Sequence, residues 1–126
     1  KKIHKIYPKK TRNCLLRFLL EITVHDKIRD YILRLVHRTR DSTHLTLGAS
    51  PRASMMLFRC AQAASAVQGR GYVIPDDIKA LTPAVLEHRL ILNPESRLRR
   101  VTTETVLRDI MKEVAIPAAG TSWKSA

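Results

Sequence analysis

The run Leu47-Gly48-Ala49-Ser50-Pro51-Arg52-Ala53 writes a helix start and places an arginine inside its first turn. Serine at the N-cap predicts a hydroxyl that accepts from the free first-turn amides, and Pro51 suits the first helical position, where its missing N–H costs nothing. Arg52 then stands beside the positive end of the helix dipole, a placement disfavoured by about 0.3–1 kcal/mol unless an anion lies between the two charges. Free amides behind the Ser50 cap, a helix dipole and the Arg52 guanidinium form a phosphate-sized trap. A solvated arginine at the end of a bundle is the plainer reading, and the local sequence leaves both open.

Other chemistry-bearing residues form no second constellation. Cys14 and Cys60 each lie among apolar residues without a partner at ligand spacing, which predicts buried thiols and neither a disulfide nor a metal site. His4, His25, His37, His44 and His88 are scattered, so surface or capping roles are expected. The four glycines, Gly48, Gly69, Gly71 and Gly120, make no GxxxxGK[ST] loop, and no strand ends in paired acids. The residues given thus lack a loop to cradle phosphates and carboxylates to hold magnesium, and no ATPase activity is expected of them alone.

The elements that position Arg52 follow from periodicity. Leu15, Leu16, Leu19 and Leu20 predict a helix over about residues 11–22. Ile28, Tyr31, Ile32, Leu35 and Val36 form the apolar stripe of a second, capped by His25 or Asp26 and ending near Arg40. A polar connection from Asp41 to Thr46 leads to a third helix that runs to about Gln68. It is apolar nearly all round, which predicts the buried centre of a bundle. Gly69-Arg70-Gly71 stops it. Tyr72-Val73-Ile74 reads as an extended segment, a candidate partner for Leu90-Ile91-Leu92 in a two-strand ribbon. Pro75-Asp76-Asp77 opens the next helix behind a poor N-cap, Ile74, and Thr82-Pro83 is expected to interrupt and restart it. Val106, Leu107, Ile110, Met111 and Val114 mark the last helix, and the residues beyond are expected to be a loose tail. The fold class is therefore all-α, a small bundle of about five helices with at most one short two-strand ribbon.

Composition bounds the rest. The length of 126 residues suits one domain, and the 5% aromatic content requires a mainly aliphatic core. No apolar run approaches the roughly 20 residues that span a bilayer and no leader pattern appears, so a cytoplasmic protein without a membrane partner is expected. Half of the net charge of +12 comes from Lys1, Lys2, Lys5, Lys9, Lys10 and Arg12, a stretch with no acid. Arg97, Arg99 and Arg100 form a second cluster. No aromatics interleave with these cations and no helix presents Asn, Gln and Arg together, so a nucleic-acid-binding module is only an alternative. A protein-interaction module, using the Arg29, Arg34 and Arg38 face, is another.

Four blocks, LGASPRAS (Leu47 to Ser54), GRGYVIPDDIKAL (Gly69 to Leu81), PAVLEHRLILNPES (Pro83 to Ser96) and VAIP (Val114 to Pro117), resemble in content and order the C-terminal helical lid of MoxR-type AAA+ ATPases. The resemblance covers about residues 24–117. It implies a lid over 24–117 cut from a longer polypeptide, while the residues on either side read as a basic arm and linker helix over 1–23 and a flexible tail over 118–126. In that family the arginine of GASPRA is the sensor 2 residue, which reaches the γ-phosphate of ATP bound in a neighbouring αβ core; by motif position this falls on Arg52, with Ser50 beside it. ATP and magnesium would be held mainly by that core, and neither is expected on the isolated chain. The resemblance further implies ATP hydrolysis by the full-length protein, a hexameric ring, a von Willebrand factor A-domain partner and a chaperone-like role in maturing protein complexes. Two departures stand out besides the missing phosphate loop: Ile74 occupies a position where the family often has Thr or Ser, and the arm Lys1 to Arg12 resembles no expected linker.

Overall fold

A computed structural model describes residues 9–118 and 122–124. Among them are six α-helices: α1 (Lys9–Glu21), α2 (Asp26–Arg40), α3 (Pro51–Val67), α4 (Pro75–Leu86), α5 (Pro94–Leu98) and α6 (Thr103–Glu113). A 3₁₀ turn (Glu87–Arg89) and two short strands, β1 (Leu45–Leu47) and β2 (Ile91–Leu92), complete the described elements. The architecture is all-α with one two-strand antiparallel ribbon. Most of the basic arm, Lys1, Lys2 and Lys5 included, lies outside the described residues.

The apolar stripe of α2 is buried as its spacing requires, through Ile28, Tyr31, Ile32, Leu35 and Val36. Of the two candidate caps His25 is used, its Nδ1 accepting from the Lys27 N–H at 3.1 Å. Packing of α3 against α4, α2 and α1 places it in the middle of the molecule. It is not sealed on all sides, however. Ala53, Leu57 and Ala61 are buried, but Met55 and Met56 are 56% and 42% exposed and Val67 is 88% exposed. Its near-uniform apolarity marks one buried face and one face open to solvent.

The ribbon differs from the expected pairing. Leu45 lies opposite Leu92 and Leu47 opposite Ile91, so the strand comes from the connection read as polar. The register slips between Leu45 and Leu47, where three residues of β1 face two of β2, and Asn93 ties the start of β1 by donating from Nδ2 to the Thr43 carbonyl at 2.7 Å. Tyr72 instead makes a parallel bridge to Thr23, with Thr23 N–H donating to Gly71 O and Val73 N–H to Thr23 O. That bridge drives Val73 fully into the core.

Helix α4 runs through Pro83 without the expected restart. Proline removes the bond to the Lys79 carbonyl and its ring crowds that carbonyl, while in the same turn the buried Thr82 hydroxyl donates to the Ile78 carbonyl at 2.6 Å. The poor cap at Ile74 is compensated by Asp77, whose Oδ2 accepts from the Ile74 N–H at 3.0 Å. Thr102 caps α6 by accepting from the Thr105 N–H at 3.2 Å, and Val106, Leu107 and Ile110 face inward.

At the ends of the described chain, α1 contributes no buried residue, and Leu15, Leu16, Phe18 and Leu20 are about half exposed. Cys14 is exposed rather than buried, because its helix rests on the domain along a narrow line only; Cys60 is partly buried. Trp123 packs against the core and meets the His25 ring edge-on at 5.6 Å.

Candidate functional site

Three contacts fix the approach to Arg52. Thr39, fully buried in the last turn of α2, donates its hydroxyl to the Val36 carbonyl at 2.6 Å and accepts from the Ala49 N–H at 3.0 Å. Arg40 donates from Nε to the Ala49 carbonyl at 2.9 Å, so both backbone groups of Ala49 are held by α2. Gly48 makes this approach sterically possible. A Cβ there would lie 2.7 Å from Arg40 Cα and N and 2.8 Å from Thr39 C, distances that real carbons do not adopt. The ribbon delivers the chain to Gly48, and buried Ala49 and Ala53 anchor either side of the turn.

Ser50 then has extended N-cap geometry, φ −81° and ψ 165°, and Pro51 occupies the first helical position. The expected hydroxyl cap is not formed. The Ala53 N–H donates to the Ser50 carbonyl at 2.9 Å instead, a tight first turn made from backbone alone, and the Ser50 side chain makes no capping bond. Ser50, Pro51 and Arg52 are all exposed.

Arg17, Arg97 and Arg100, like Arg52, have no carboxylate partner among the described residues, and Arg52 differs from them in its place in the first turn of α3. Arg29, Arg34, Arg38, Arg70, Arg99 and Arg108 are each paired with a carboxylate. The first turn of α3 contains no acid, and among the described residues neither the Arg52 guanidinium nor the Ser50 hydroxyl has a hydrogen-bond or ion-pair partner. One uncommitted guanidinium and one uncommitted hydroxyl at a helix N-terminus fit a terminal phosphate. They offer no carboxylate for a metal, and among the described residues no group of three His, Cys, Asp or Glu could hold one.

Sequence reasoning missed the polar centre at the other end of α3. Arg70 grips Asp77 bidentately, Nη2 to Oδ1 at 2.7 Å and Nη1 to Oδ2 at 2.9 Å, and also donates to the Tyr72 carbonyl at 3.0 Å. Asp77 is 5% exposed and Arg70 19%. The hydrogen bond to Asp77, more than any other cause, raises the Arg70 pKa further and keeps the guanidinium charged. From its own turn, Asp77 reads only as one of two acids opening α4. Its position three residues after a cap that has no polar side chain was the available signal, because a carboxylate there can reach back to the cap amide.

A family model described as the AAA lid domain matches residues 37–110, a range that contains the Thr39–Ala49 contact, Arg52 and the Arg70–Asp77 pair. The chain is 40% identical over 103 residues to the uncharacterized protein YeaC of Bacillus subtilis, covering 82% of this chain and 32% of YeaC. It is 36% identical over 103 residues to the Mycobacterium tuberculosis protein Chaperone MoxR1, covering 75% of this chain and 27% of that protein. Among solved structures, a candidate ATPase from Cytophaga hutchinsonii superposes with a TM-score of 0.77 at 31% identity, over 81% of this chain and 34% of that one. The chain thus spans about a third or less of the length of these relatives.

Proposed function

The chain belongs to the AAA lid domain family as a lid of the MoxR type, and on that premise we propose that it closes over ATP held by an αβ core domain, with Arg52 as the sensor 2 arginine. The observation that carries this reading is the place of Arg52: an exposed guanidinium, without a partner among the described residues, in the first turn of a helix that contains no acid there.

Bound ATP with magnesium supplies the transferable phosphoryl group. Arg52 supplies positive charge where negative charge accumulates during its transfer, and such a contact can change turnover by about 10³–10⁵. The Ser50 hydroxyl, uncommitted to the helix, is free to donate to the same phosphate. Thr39, Arg40 and Gly48 hold the turn to α2, so Arg52 moves with the lid as a rigid body when the lid closes.

The same reading extends to the whole polypeptide: an ATP-hydrolysing protein working in the cytoplasm as a homo-oligomeric, hexameric ring, with a von Willebrand factor A-domain partner and a chaperone-like role in maturing protein complexes. The test is made on a polypeptide in which this chain follows an AAA core domain. Arg52→Ala should leave the thermal stability of the lid unchanged and lower ATP turnover by about a hundredfold or more. Hydrolysis at the unmodified rate in that variant would refute the assignment. The isolated chain should show no submicromolar ATP binding by calorimetry.

A further inference from the structure

We infer that the turn between α5 and α6, where Leu98 stands among Arg97, Arg99 and Arg100, is a docking surface for an acidic segment of another protein, the leucine entering an apolar pocket and the arginines meeting carboxylates around it. The surface does not depend on the nucleotide role of Arg52.

The turn is anchored at both ends. Asn93 caps α5 by accepting from the Ser96 N–H at 2.7 Å, and the hydroxyl of buried Ser96 shares a hydrogen bond with His44 Nδ1 at 3.1 Å. Beyond the helix, the Val101 N–H donates to the Ser96 carbonyl at 3.0 Å and the Val101 side chain packs against the core. Between these anchors Leu98 is 86% exposed, and Arg97, Arg99 and Arg100 are exposed with it. A leucine so placed contributes nothing to the core. A turn already fixed through its backbone loses little further freedom when a partner arrives, which favours binding.

Arg100 holds its place in the turn at a cost. Its φ of +57° is left-handed, the geometry for which the end of α3 uses Gly69 at φ +75°. An arginine is strained there where glycine is not, and strained residues concentrate at binding sites and switches. The arginine adds a third guanidinium to the four residues from Arg97 to Arg100.

Charge selects the occupant. Arg97 and Arg100 have no carboxylate partner among the described residues, and Arg99 has Glu95, in a pair whose side chains are both 72% exposed. Such a pair contributes little and exchanges readily for another carboxylate. A second copy of this chain is a poor occupant, because it brings another net charge of +12. Nucleic acid is disfavoured because residues 93–101 include no aromatic ring on which a base could stack. A lipid surface requires more apolar insertion than one leucine, since even a whole acyl chain gives only marginal binding. An apolar centre with arginine around it is the composition of a protein interface.

The experiment titrates this chain into a fluorescein-labelled synthetic peptide with leucines along one helix face and glutamates on the others, followed by anisotropy at physiological salt. A poly-glutamate peptide of equal length and a DNA duplex are measured in the same way, and anionic lipid vesicles by co-sedimentation. The parent chain should bind the leucine–glutamate peptide with a Kd below about 100 μM. Leu98→Ser and Arg100→Gly should each weaken that binding about tenfold, while Arg100→Gly melts no lower than the parent. Lys1→Gln, Lys2→Gln and Lys5→Gln together, a control for the basic arm, should change it less than about twofold. The proposal is overturned by no binding of that peptide, by undiminished binding in Leu98→Ser or Arg100→Gly, by equal binding of poly-glutamate, or by an equal loss in the arm variant. Tighter binding of the duplex or the vesicles, weakened by the same two turn substitutions, would also overturn it and assign the turn to that other partner.

Discussion

The hydroxyl of Thr39 accepts from the backbone N–H of Ala49 at 3.0 Å and so joins the end of one helix to the turn that starts the next. Thr39 is fully buried and its hydroxyl donates to Val36, so both of its hydrogen-bonding capacities are used. Replacing it with valine keeps the shape and strands a buried amide at Ala49. Such an orphan costs about 1–3 kcal/mol. Thr39→Val should therefore melt several degrees lower than the parent chain, while Thr39→Ser, which keeps the hydroxyl, should recover most of the difference.

Gly48 tests the same junction sterically. An alanine Cβ would meet the Arg40 backbone at 2.7 Å, and backbone cannot swing aside as a flexible side chain can. Gly48→Ala should cost about 1–3 kcal/mol, as overpacking generally does. Its effect on turnover, measured behind a core domain, should exceed what the loss of stability explains, because the relief of the clash displaces Arg52. A variant with parental melting and turnover would show that the contact does not constrain the turn.

Ser50 distinguishes the cap read from sequence from the one the chain uses. Removing a capping hydroxyl typically costs about 1 kcal/mol. Here the hydroxyl makes no capping bond, so Ser50→Ala should change the unfolding free energy by less than about 0.5 kcal/mol. A larger loss in a denaturant titration would mean that the hydroxyl caps α3 in solution.

What was legible in the sequence was whatever a period of 3.6 or a local signal determines. The stripe of α2, the Pro51 start, the stop at Gly69 and the aliphatic core all follow from spacing or from residue conformation. What was not legible depends on partners distant in the chain. β1 forms because β2, more than forty residues later, offers an edge, and Tyr72 to Ile74 is withdrawn from that role by Thr23. Arg52 could be marked as a misplaced charge from its own turn, whereas its clamp needed Gly48, a residue whose reason is the backbone of Arg40 in another helix. The hydroxyl of Ser50 shows the remaining gap: a good capping residue at a cap position need not use its side chain.

Two helices end in the same Schellman geometry with different residues at its left-handed position. After α3, Gly69 has φ +75°, with Gly69 N–H to Ala66 O and Arg70 N–H to Ser65 O. After α5, Arg100 has φ +57°, with Arg100 N–H to Arg97 O and Val101 N–H to Ser96 O. A side chain in that conformation costs about 1–2 kcal/mol, partly offset by the greater chain entropy that glycine loses on folding. Arg100→Gly should thus stabilise the chain by about 0.5–1 kcal/mol. No gain in stability would mean that the arginine side chain returns an equal contribution.

Tyr31 is buried in the core with a hydroxyl that has no hydrogen-bond partner among the described residues. Burial raises its pKa above the usual value of 10.0, because the phenolate is harder to desolvate than the phenol. The sign for stability follows. Below the unfolded-state pKa, about 10, the phenol is neutral in both states and its contribution to folding is complete. As pH rises above that, the unfolded chain ionises first, and stability is lost until the folded pKa is passed. Tyr31→Phe removes both the titration and the orphan hydroxyl, whose burial costs about 1–3 kcal/mol. The variant should accordingly be at least as stable as the parent at neutral pH, and its advantage should widen above about pH 10, where parallel denaturant titrations separate it from the remaining tyrosines and lysines. An advantage that is flat across that range would show that the hydroxyl finds water in solution.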